Sequence, residues 1–480
     1  MGVFVGRGYE LEQLALLKRK ASSSMVAVTG RRRIGKSRLI EEFAKRSKGY
    51  RYVAFSGIAP DQGVSAHEQR ADFARQMQRQ LGIPPVVHDD WGDLFAHVGR
   101  AVGRGKWIVL LDEISWMASG DRTFLPKLKN AWDLSFSKNA KLVLVVCSSI
   151  SSWLENNILS STGFVGRISL NIRLEELPVS DCLDFPGMRQ GTASFYDQFK
   201  MLSVTGGVPK YLEELVASQS AEENIRRLCF ESSGLLFREF RQIFSDLFET
   251  RNALYERIVT TLADRRMDLT ELCKAIGLKK SGAVGGYVDD LRLAGFVEKD
   301  YAWDLNNGLE GRRFTYRVKD NYVRFYLKHI APHRNAISKN RFRRKKLSAL
   351  AGWDAVMGLQ FENLVLQNRE FIWQQCGVSA SEIVNEGPFF QTATKRRRGC
   401  QIDYLIQTKH GPLYLCEIKF LRKKVGADVL ADLQHKGQRL AKPRHASMLP
   451  VLIHVNGVTE AVAESDYLAR IIDLSDITLN

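Results

Sequence analysis

Apolar runs and helical spacing alternate along the first 150 residues. Residues 25–29, 51–55, 107–111 and 141–147 are short, mostly apolar stretches that are rich in β-branched residues. Runs of this length that do not alternate with polar residues are typical of parallel strands buried on both faces. After the first run, apolar residues recur at helical spacing over 39–44. The pattern therefore predicts a parallel sheet with flanking helices.

A different pattern follows the first 220 residues. It predicts, in order, helices over 255–262, 269–276 and 283–294 and strands over 296–299 and 314–318. The dipeptide Asn307-Gly308 lies between the two strands and is a strong hairpin signal. Three helices and a hairpin are typical of a winged helix. Because the third helix carries few cations, the sequence leaves open whether this domain contacts DNA or only couples its neighbours.

Period-two alternation marks the last third of the chain. Residues 401–406 and 413–419 alternate apolar and polar positions, and residues 409–411 form a turn between them. This pattern predicts a β-hairpin. A helical segment over 359–365 precedes it.

The composition indicates what kind of molecule the protein binds and in which compartment it is found. A formal net charge of +17 favours a polyanionic partner, so we expect nucleic acid, with DNA as the expected form although no motif separates DNA from RNA. Seven cysteines without a Cys-x-x-Cys pair argue against a disulfide framework or a zinc knuckle and fit a reducing compartment. Without a transmembrane-length apolar run or an export signal, we expect no membrane association and a cytoplasmic location.

The pattern G-x-x-x-x-G-K-[ST] occurs at residues 30–37, between the first predicted strand and its helix. Glycines at such a turn let backbone N–H groups approach phosphates, and the helix N-terminus adds the positive end of its dipole. Lys36 is expected to reach the β- and γ-phosphates and Ser37 to bind Mg²⁺. The pattern predicts a P-loop. Its expected nucleotide contacts are Gly30, Arg33, Ile34, Gly35, Lys36, Ser37 and Arg38.

The apolar run at 107–111 ends in two carboxylates, Asp112 and Glu113. Together with the P-loop this is a Walker B pattern. Asp112 is expected to hold Mg²⁺ through water, and Glu113 to orient and deprotonate the attacking water.

Two further features have alternative interpretations. Ser148 and Ser149 follow the fourth apolar run, where they could sense the γ-phosphate or form a simple serine-rich turn. Arg167 could be an arginine finger in cis or on a neighbouring subunit of a homo-oligomer, or it could pair with a local carboxylate.

Four motifs in this order resemble those of the archaeal-type ATPase family, within the STAND/AAA-like P-loop ATPases. They lie at residues 4–7, 30–37, 111–113 and 205–212. The resemblance covers residues 1–220 and implies an adenine-specific NTPase with ATP and Mg²⁺ as cofactors. It also implies that Arg7 and the Gly-x-Pro motif ending at Pro209 contact the nucleotide. Gly8 departs from the acidic residue that usually follows Gly-Arg in the family.

The hairpin in the last third carries a second group of polar residues. Glu417 and Lys419 share one face of their strand, and Asp403 lies across the pair. Two carboxylates on adjacent strands repel unless a divalent cation bridges them, and a neighbouring lysine can neutralise a scissile phosphate or activate water.

This arrangement resembles the PD-(D/E)xK nuclease superfamily. Asp403, Glu417 and Lys419 match its central motif and Glu362 its upstream helical acid, while Ile402 replaces the proline. The resemblance implies catalysis by Asp403, Glu417 and Lys419, with Glu362, Asp403 and Glu417 as metal ligands.

Polar residues near the hairpin complete this expectation. Gln434 or Gln438 would supply the polar group that the superfamily often places on the following helix. A phosphate-binding rim is expected just before the first hairpin strand, at Lys395, Arg396, Arg397 and Arg398.

We therefore expect a multidomain α/β protein. The parts are a P-loop ATPase domain with the start of a helical lid (1–220), the helical lid and winged helix (221–320), a basic helical linker (321–346) and a nuclease-like α/β domain (347–480). The linker's cations, among them Arg324, Arg343 and Arg344, would face solvent or track a phosphate backbone.

Two functions fit these parts. The protein is either an ATP-controlled, metal-dependent nuclease acting on nucleic acid, or a nucleotide-switched DNA-binding or assembly factor whose nuclease fold is silent. Intact Asp403, Glu417 and Lys419 favour the nuclease, because a silent site has no physical need for unpaired carboxylates.

Overall fold

A computed structural model describes residues 3–59, 64–86, 89–189, 194–248, 252–342, 345–395 and 398–478, and the chain divides into two units. The first is Met1–Glu176 with the short segment Leu293–Gly295, and the second is Leu177–Arg292 with Phe296–Asn480. The end of the expected first domain (1–220), from residue 177 onward, thus belongs to the second unit.

The predicted parallel strands form the sheet of the first unit. Its strands are β1 (Ser24–Thr29), β2 (Arg51–Ser56), β3 (Trp107–Asp112), β4 (Leu142–Cys147) and β5 (Ile168–Arg173), in the order β2-β3-β4-β1-β5. Its helices are α1 (Gly8–Leu17), α2 (Lys36–Arg46), α3 (Ala66–Leu81), α4 (Trp91–Val102), α5 (Ile114–Met117), α6 (Phe124–Leu134) and α7 (Ser151–Leu154). All paired strands are parallel.

Both faces of this sheet are covered. Met25 and Ala27 of β1 pack in one apolar cluster, and Val26 and Val28 pack in another. Continuous apolar runs are the consequence of burial on two sides. The hydrophobic pattern misses β5, because this edge strand is partly exposed along most of its length. Since all strands run in one direction, β1, β3 and β4 end at the same edge of the sheet.

The second unit begins with helices and continues as a mixture of helices and strands. The helices are α8 (Val179–Leu183), α9 (Phe195–Thr205), α10 (Pro209–Leu212), α11 (Ala221–Cys229), α12 (Leu235–Phe248), α13 (Asn252–Asp264), α14 (Leu269–Ala275), α15 (Gly282–Leu293), α16 (Asn321–Phe325), α17 (Arg334–Ser338), α18 (Trp353–Gln367), α19 (Arg369–Cys376), α20 (Asp428–Arg439) and α21 (Glu460–Ala463). The strands are β6 (Val297–Trp303), β7 (Glu310–Val318), β8 (Ile383–Gln391), β9 (Cys400–Thr408), β10 (Leu413–Ile418), β11 (Met448–His454) and β12 (Arg470–Asp473).

The five strands β8–β12 form one sheet in the order β12-β11-β10-β9-β8. Strands β8, β9 and β10 form an antiparallel meander, and β10, β11 and β12 run parallel to one another. The predicted hairpin over 401–419 is its centre. Leu433 of α20 packs with Leu405 and Leu415 in the apolar cluster beneath this sheet, so α20 crosses the two strands that carry the candidate site.

Helices α13, α14 and α15 and the antiparallel hairpin β6–β7 occur where the sequence predicts them. The hairpin packs against the last sheet rather than projecting away from it. Trp303 Nε1 donates to Gln407 Oε1 at 2.9 Å, and Asn385 Nδ2 donates to the carbonyl of Gly308 at 3.1 Å. These contacts tie the turn and the end of β6 to protein, and they leave open whether the rest of the hairpin contacts nucleic acid.

The expected basic linker is only partly a solvated segment. Tyr322, Val323 and Phe325 of α16 are buried, and Arg324 donates to Gln360 Oε1 at 3.1 Å and to the carbonyl of Leu359 at 3.3 Å. The expectation that the Arg324 side chain faces solvent or phosphate is therefore wrong, because its guanidinium satisfies buried acceptors. Arg343 and Arg344 lie outside the described residues.

The structure also describes the state of the cysteines and the lengths of the apolar helices. All seven cysteines are free thiols and buried, as the absence of a disulfide pattern predicts. Within the described ranges, no helix combines the length and the apolar composition that crossing a bilayer requires.

Candidate functional sites

The P-loop turn depends on backbone that glycine favours. Gly30 has φ 141°, and a Cβ at this position would lie 2.7 Å from the carbonyl oxygen of Leu174. Gly35, with φ 95°, directly precedes α2. Arg33 also adopts a positive φ, 67°, without being glycine. The structure therefore explains why this pattern has a glycine at each end: the first allows a close backbone approach, and the second allows a left-handed turn.

Lys36 lies across this loop. Its Nζ donates to the carbonyls of Gly30 at 3.0 Å and Arg31 at 3.3 Å, and the side chain is buried. Burial lowers the pKa of Lys36, while the carboxylate of Glu113 opposes this shift. The ammonium thus lies at the turn where P-loops bind phosphate, held by weak neutral acceptors that an anion would replace.

Ser37 and Asp112 meet although 75 positions separate them. Ser37 Oγ donates to Asp112 Oδ2 at 2.6 Å, because α2 starts and β3 ends at the same edge of the sheet. Burial raises the pKa of Asp112, and the hydrogen bond from Ser37 opposes this rise. A hydroxyl and a carboxylate at this spacing are oxygen donors of the kind that Mg²⁺ prefers.

Glu113 is held from an adjacent strand end. It has φ 50°, and its Oε2 accepts hydrogen bonds from the N–H of Ser149 at 2.9 Å and from its hydroxyl at 2.7 Å. Ser148 instead donates to Ser115 Oγ at 3.0 Å. Of the two serines that the sequence singles out, Ser149 is therefore the one in contact with a predicted catalytic group.

Substituting Glu113 with Gln should leave nucleotide binding intact and lower ATP turnover by about 10²-fold or more, because the amide can still accept from Ser149 but cannot take a proton from water. Single-turnover hydrolysis and nucleotide titration separate the two effects. Glu12→Gln, at an exposed position of α1, is the matched control. Normal turnover in the Glu113 variant would show that another group is the base.

Arg7 contacts the P-loop directly. It has φ 61°, and its Nη2 donates to the carbonyls of Ile34 at 3.3 Å and Glu175 at 2.6 Å. Nη1 forms an ion pair with Glu10 at 3.2 Å. The N-terminal motif therefore supports the loop through a backbone carbonyl, a contact that the sequence alone does not specify.

Three other predicted residues have these positions. Arg167 forms a two-point ion pair with Asp133, with both N–O distances 2.8 Å, so the local-carboxylate alternative is the one observed. Arg38 is half-buried on α2. Pro209 is the first residue of α10 in the second unit, and a Cβ on the preceding Gly207 would lie 2.2 Å from the carbonyl oxygen of Leu177.

The second candidate site lies on β9, β10 and α20. Asp403 and Glu417 are both buried, and Asp403 Oδ2 accepts from the N–H of Ile418 at 3.1 Å. Lys419 Nζ lies 3.0 Å from Glu417 Oε1. Cys416 pairs with Tyr404 across the antiparallel strands β10 and β9. Glu417 and Asp403 are the next residues on these two strands and therefore lie beside each other. The structure therefore brings together the three residues of the predicted central motif.

Lys436 of α20 is a member of this site that the sequence analysis missed. Its Nζ lies 2.5 Å from Glu417 Oε2 and 3.3 Å from Asp403 Oδ1. Burial lowers the pKa of Lys436, but Asp403 and Glu417 raise it further, so it stays a cation. The expected Gln434 and Gln438 are both exposed. Helical spacing could have identified Lys436, since it follows the buried Leu433 by three residues.

Glu362 lies near the other carboxylates without joining them in one cluster. Burial and the charge of Asp403 raise its pKa, and Arg266 Nη2 lies 3.7 Å from its Oε2. Among the described residues, no three carboxylate, histidine or cysteine side chains are close enough to share a metal ion. Lys436 contacts Asp403 and Glu417 while Arg266 contacts Glu362, and the role of these three carboxylates as metal ligands stays a prediction.

The predicted phosphate rim is described in part. Lys395 and Arg398 are exposed before β9, and Arg396 and Arg397 lie outside the described residues.

Comparisons with known proteins concern the part of the chain that carries the first of these sites. Residues 4–215 match a family described as an ATPase domain predominantly from Archaea, so the chain contains an ATPase domain of the archaeal type. An uncharacterised protein of Methanocaldococcus jannaschii is 22% identical over 377 residues, which cover 77% of each chain.

Among solved structures, a Walker-type ATPase of Pyrococcus abyssi has a TM-score of 0.51 and 15% identity, covering 68% of this chain and 96% of that one. Similarity at this level of identity concerns the fold alone. It agrees with the parallel-sheet P-loop NTPase fold of the first unit.

Proposed function

We propose that this protein is an ATPase whose C-terminal domain is a metal-dependent nuclease acting on nucleic acid, with DNA as the expected substrate. The observation that carries the nuclease proposal is the convergence of Asp403, Glu417 and Lys419 on two adjacent strands. Two buried carboxylates on adjacent strands repel each other, and a cation that both of them contact relieves this repulsion.

In the ATPase site, each residue has a separate task. Lys36 binds the β- and γ-phosphates, Ser37 and Asp112 hold Mg²⁺, and Glu113 orients the attacking water. Mg²⁺ supplies charge neutralisation on the phosphates when it is bound. Ser149 positions Glu113 by donating two hydrogen bonds to one carboxylate oxygen. A γ-phosphate could compete for Ser149, which would release Glu113 toward water.

In the nuclease site, the Lys436 ammonium contacts both Asp403 and Glu417. The two carboxylates are therefore close enough to share one cation, and a divalent cation fits the same position. A bound divalent metal would supply Lewis acidity toward the scissile phosphate. Lys419 remains beside Glu417 to neutralise phosphate charge or to hold a nucleophilic water. Lys436 must move for the carboxylates to bind metal, so it is an internal competitor.

Replacing Lys436 with Gln should therefore tighten Mn²⁺ binding by about tenfold or more, the scale on which groups bordering a metal site change affinity. Titration calorimetry measures the binding, and the stabilisation of the fold by Mn²⁺ provides an independent readout. Lys423→Gln removes the same charge from an exposed position and is the control. Unchanged affinity in the Lys436 variant would contradict competition for this position.

The silent-domain alternative retains one supporting observation. Lys436 neutralises both carboxylates and Arg266 engages Glu362, so the site is electrostatically satisfied without metal. The protein would then be a nucleotide-switched binding or assembly factor.

Incubation of purified protein with plasmid and with Mg²⁺ or Mn²⁺, each with and without ATP, tests the proposal. Nicking or linearisation that EDTA abolishes supports the nuclease. Tight binding of nucleic acid without cleavage under any nucleotide condition would favour the alternative.

A further inference from the structure

A cavity of about 630 Å³ opens within the second unit, among the β6–β7 hairpin, the start of α14 and the end of β8. Residues that line it include Lys280, Arg312, Arg313, Phe314, Thr315 and Phe390. The volume is within the range of ~300–1,000 Å³ that is usual for pockets enclosing small ligands. None of the predicted site residues lines this cavity, so the proposals above leave it without a role.

Cations dominate the available charge of this cavity. Its two carboxylates are already engaged: Asp268 caps α14 by accepting from two backbone N–H groups, and Asp300 pairs with Arg317 at 2.7 Å. Arg312 and Arg313 are exposed, and in the described part of the chain neither forms an ion pair. An anionic ligand therefore fits this cavity better than a neutral or cationic one.

Two aromatic rings accompany these cations. The Arg266 guanidinium lies over the ring of Phe390, 4.7 Å from its centroid, and Lys299 Nζ lies 3.8 Å from the centroid of Phe314. Thr315 also lies in the cavity lining. Cations that bind phosphates and rings that stack bases are the combination that proteins use for single-stranded nucleic acid.

The cavity is adjacent to the candidate nuclease site. Phe390 pairs with Gln401 across β8 and β9, two residues before Asp403. Arg266, which lies over Phe390, is also 3.7 Å from Glu362 Oε2. A strand bound in the cavity would therefore lie next to the carboxylates.

We propose that this cavity binds a single-stranded segment of nucleic acid, and that the nucleic acid bound is a strand end, gap or loop rather than an intact duplex. In a duplex the bases stack on each other and present no free face to Phe314 or Phe390. The proposal rests on nucleic acid as the partner of the proposed function and does not require that the nuclease site be active.

Binding measured in EDTA tests this without cleavage. Fluorescence anisotropy compares a labelled thymidine oligomer of about twelve nucleotides, a length within known single-strand site sizes, with a duplex of the same length. Wild-type protein should bind the single strand about tenfold or more tightly. Equal or tighter binding of the duplex would overturn the proposal, as would equally tight competition by thymidine monophosphate, which would make this a mononucleotide site.

Two kinds of variant separate charge from stacking. Arg312→Gln with Arg313→Gln should reduce the salt dependence of log affinity by about 1.4, because each phosphate contact on a single strand contributes about 0.7. Phe390→Leu should weaken binding about tenfold at fixed salt and leave that slope unchanged. The charge-matched control is Arg79→Gln with Arg122→Gln, at exposed positions of the first unit. An effect of the control equal to that of Arg312→Gln with Arg313→Gln would overturn the cavity assignment.

Phe314→Leu is the second stacking variant, in case Phe390→Leu does not fold. Photocrosslinking of a 5-iodouracil oligomer then locates the strand independently. A crosslink at Phe314 or Phe390 is the expected result, and crosslinks confined to other segments would contradict the site. Single-strand binding at this cavity with no cleavage by wild type would uphold this inference while the nuclease proposal fails.

Discussion

Lys36→Ala should lower ATP hydrolysis by about 10²-fold or more while the protein remains folded. The substitution removes the positive charge that binds the phosphates. In the structure, the Lys36 ammonium contacts two backbone carbonyls. The fold should tolerate the loss because burial opposes the charged form of this side chain, as its lowered pKa indicates. Melting temperature should change by only about 2–4 °C.

Steady-state hydrolysis, nucleotide titration and thermal melting check this prediction. Lys48→Ala removes an exposed lysine just after α2 and should leave activity unchanged. Undiminished hydrolysis in the Lys36 variant would contradict the P-loop role. Loss of activity together with a large fall in melting temperature would instead indicate a folding defect, and Lys36→Met, which retains the length of the side chain, would then be the variant to assay.

Asp403→Ala should abolish metal-dependent cleavage, with a fall of about 10³-fold or more, if the nuclease proposal holds. Glu417 would be the remaining strand carboxylate, so two-point metal binding would fail. Lys436 would keep its contact with Glu417, which limits the electrostatic cost of the change. ATP hydrolysis should survive, because every residue assigned to phosphate transfer precedes residue 150 and belongs to the first unit.

Nucleic-acid binding in EDTA should persist or tighten in this variant, because one repulsive carboxylate is lost and Lys395 and Arg398 remain. Asp466→Ala, in an exposed loop of the same domain, is the control. If Asp403→Ala cleaves as well as wild type, the carboxylates on β9 and β10 are not the catalytic site, even if the protein is a nuclease.

Local signals in the sequence were sufficient for most of the first sheet, for the β6–β7 and β9–β10 hairpins and for both central motifs. Four of the five parallel strands follow from apolar runs, and in β1, β3 and β4 the run is continuous because both faces of the strand are buried. The P-loop follows from two glycines whose positive φ angles are observed. Asp403, Glu417 and Lys419 follow from the period of a strand, and their convergence requires only that the hairpin forms in register.

Contacts between residues far apart in the sequence required the tertiary structure. Ser149 reaches Glu113 because β3 and β4 are neighbours in the sheet, and Arg7 reaches Ile34 across the start of the chain. Arg167 faces Asp133, a pairing that no local pattern specifies. The periodicity of a strand or helix relates only residues that are close in the sequence. The sequence can therefore identify these residues as candidates, but it cannot predict that they contact each other.

The same limit applies at the second site. The sequence determined that two carboxylates and a lysine share a hairpin. Only the packing of α20 across β9 and β10 decided that Lys436 lies between those carboxylates, and only the approach of Arg266 decided that Glu362 is paired separately. The physical reason is that a buried charge takes the nearest opposite charge that the fold supplies, and which one is nearest depends on how separate elements pack.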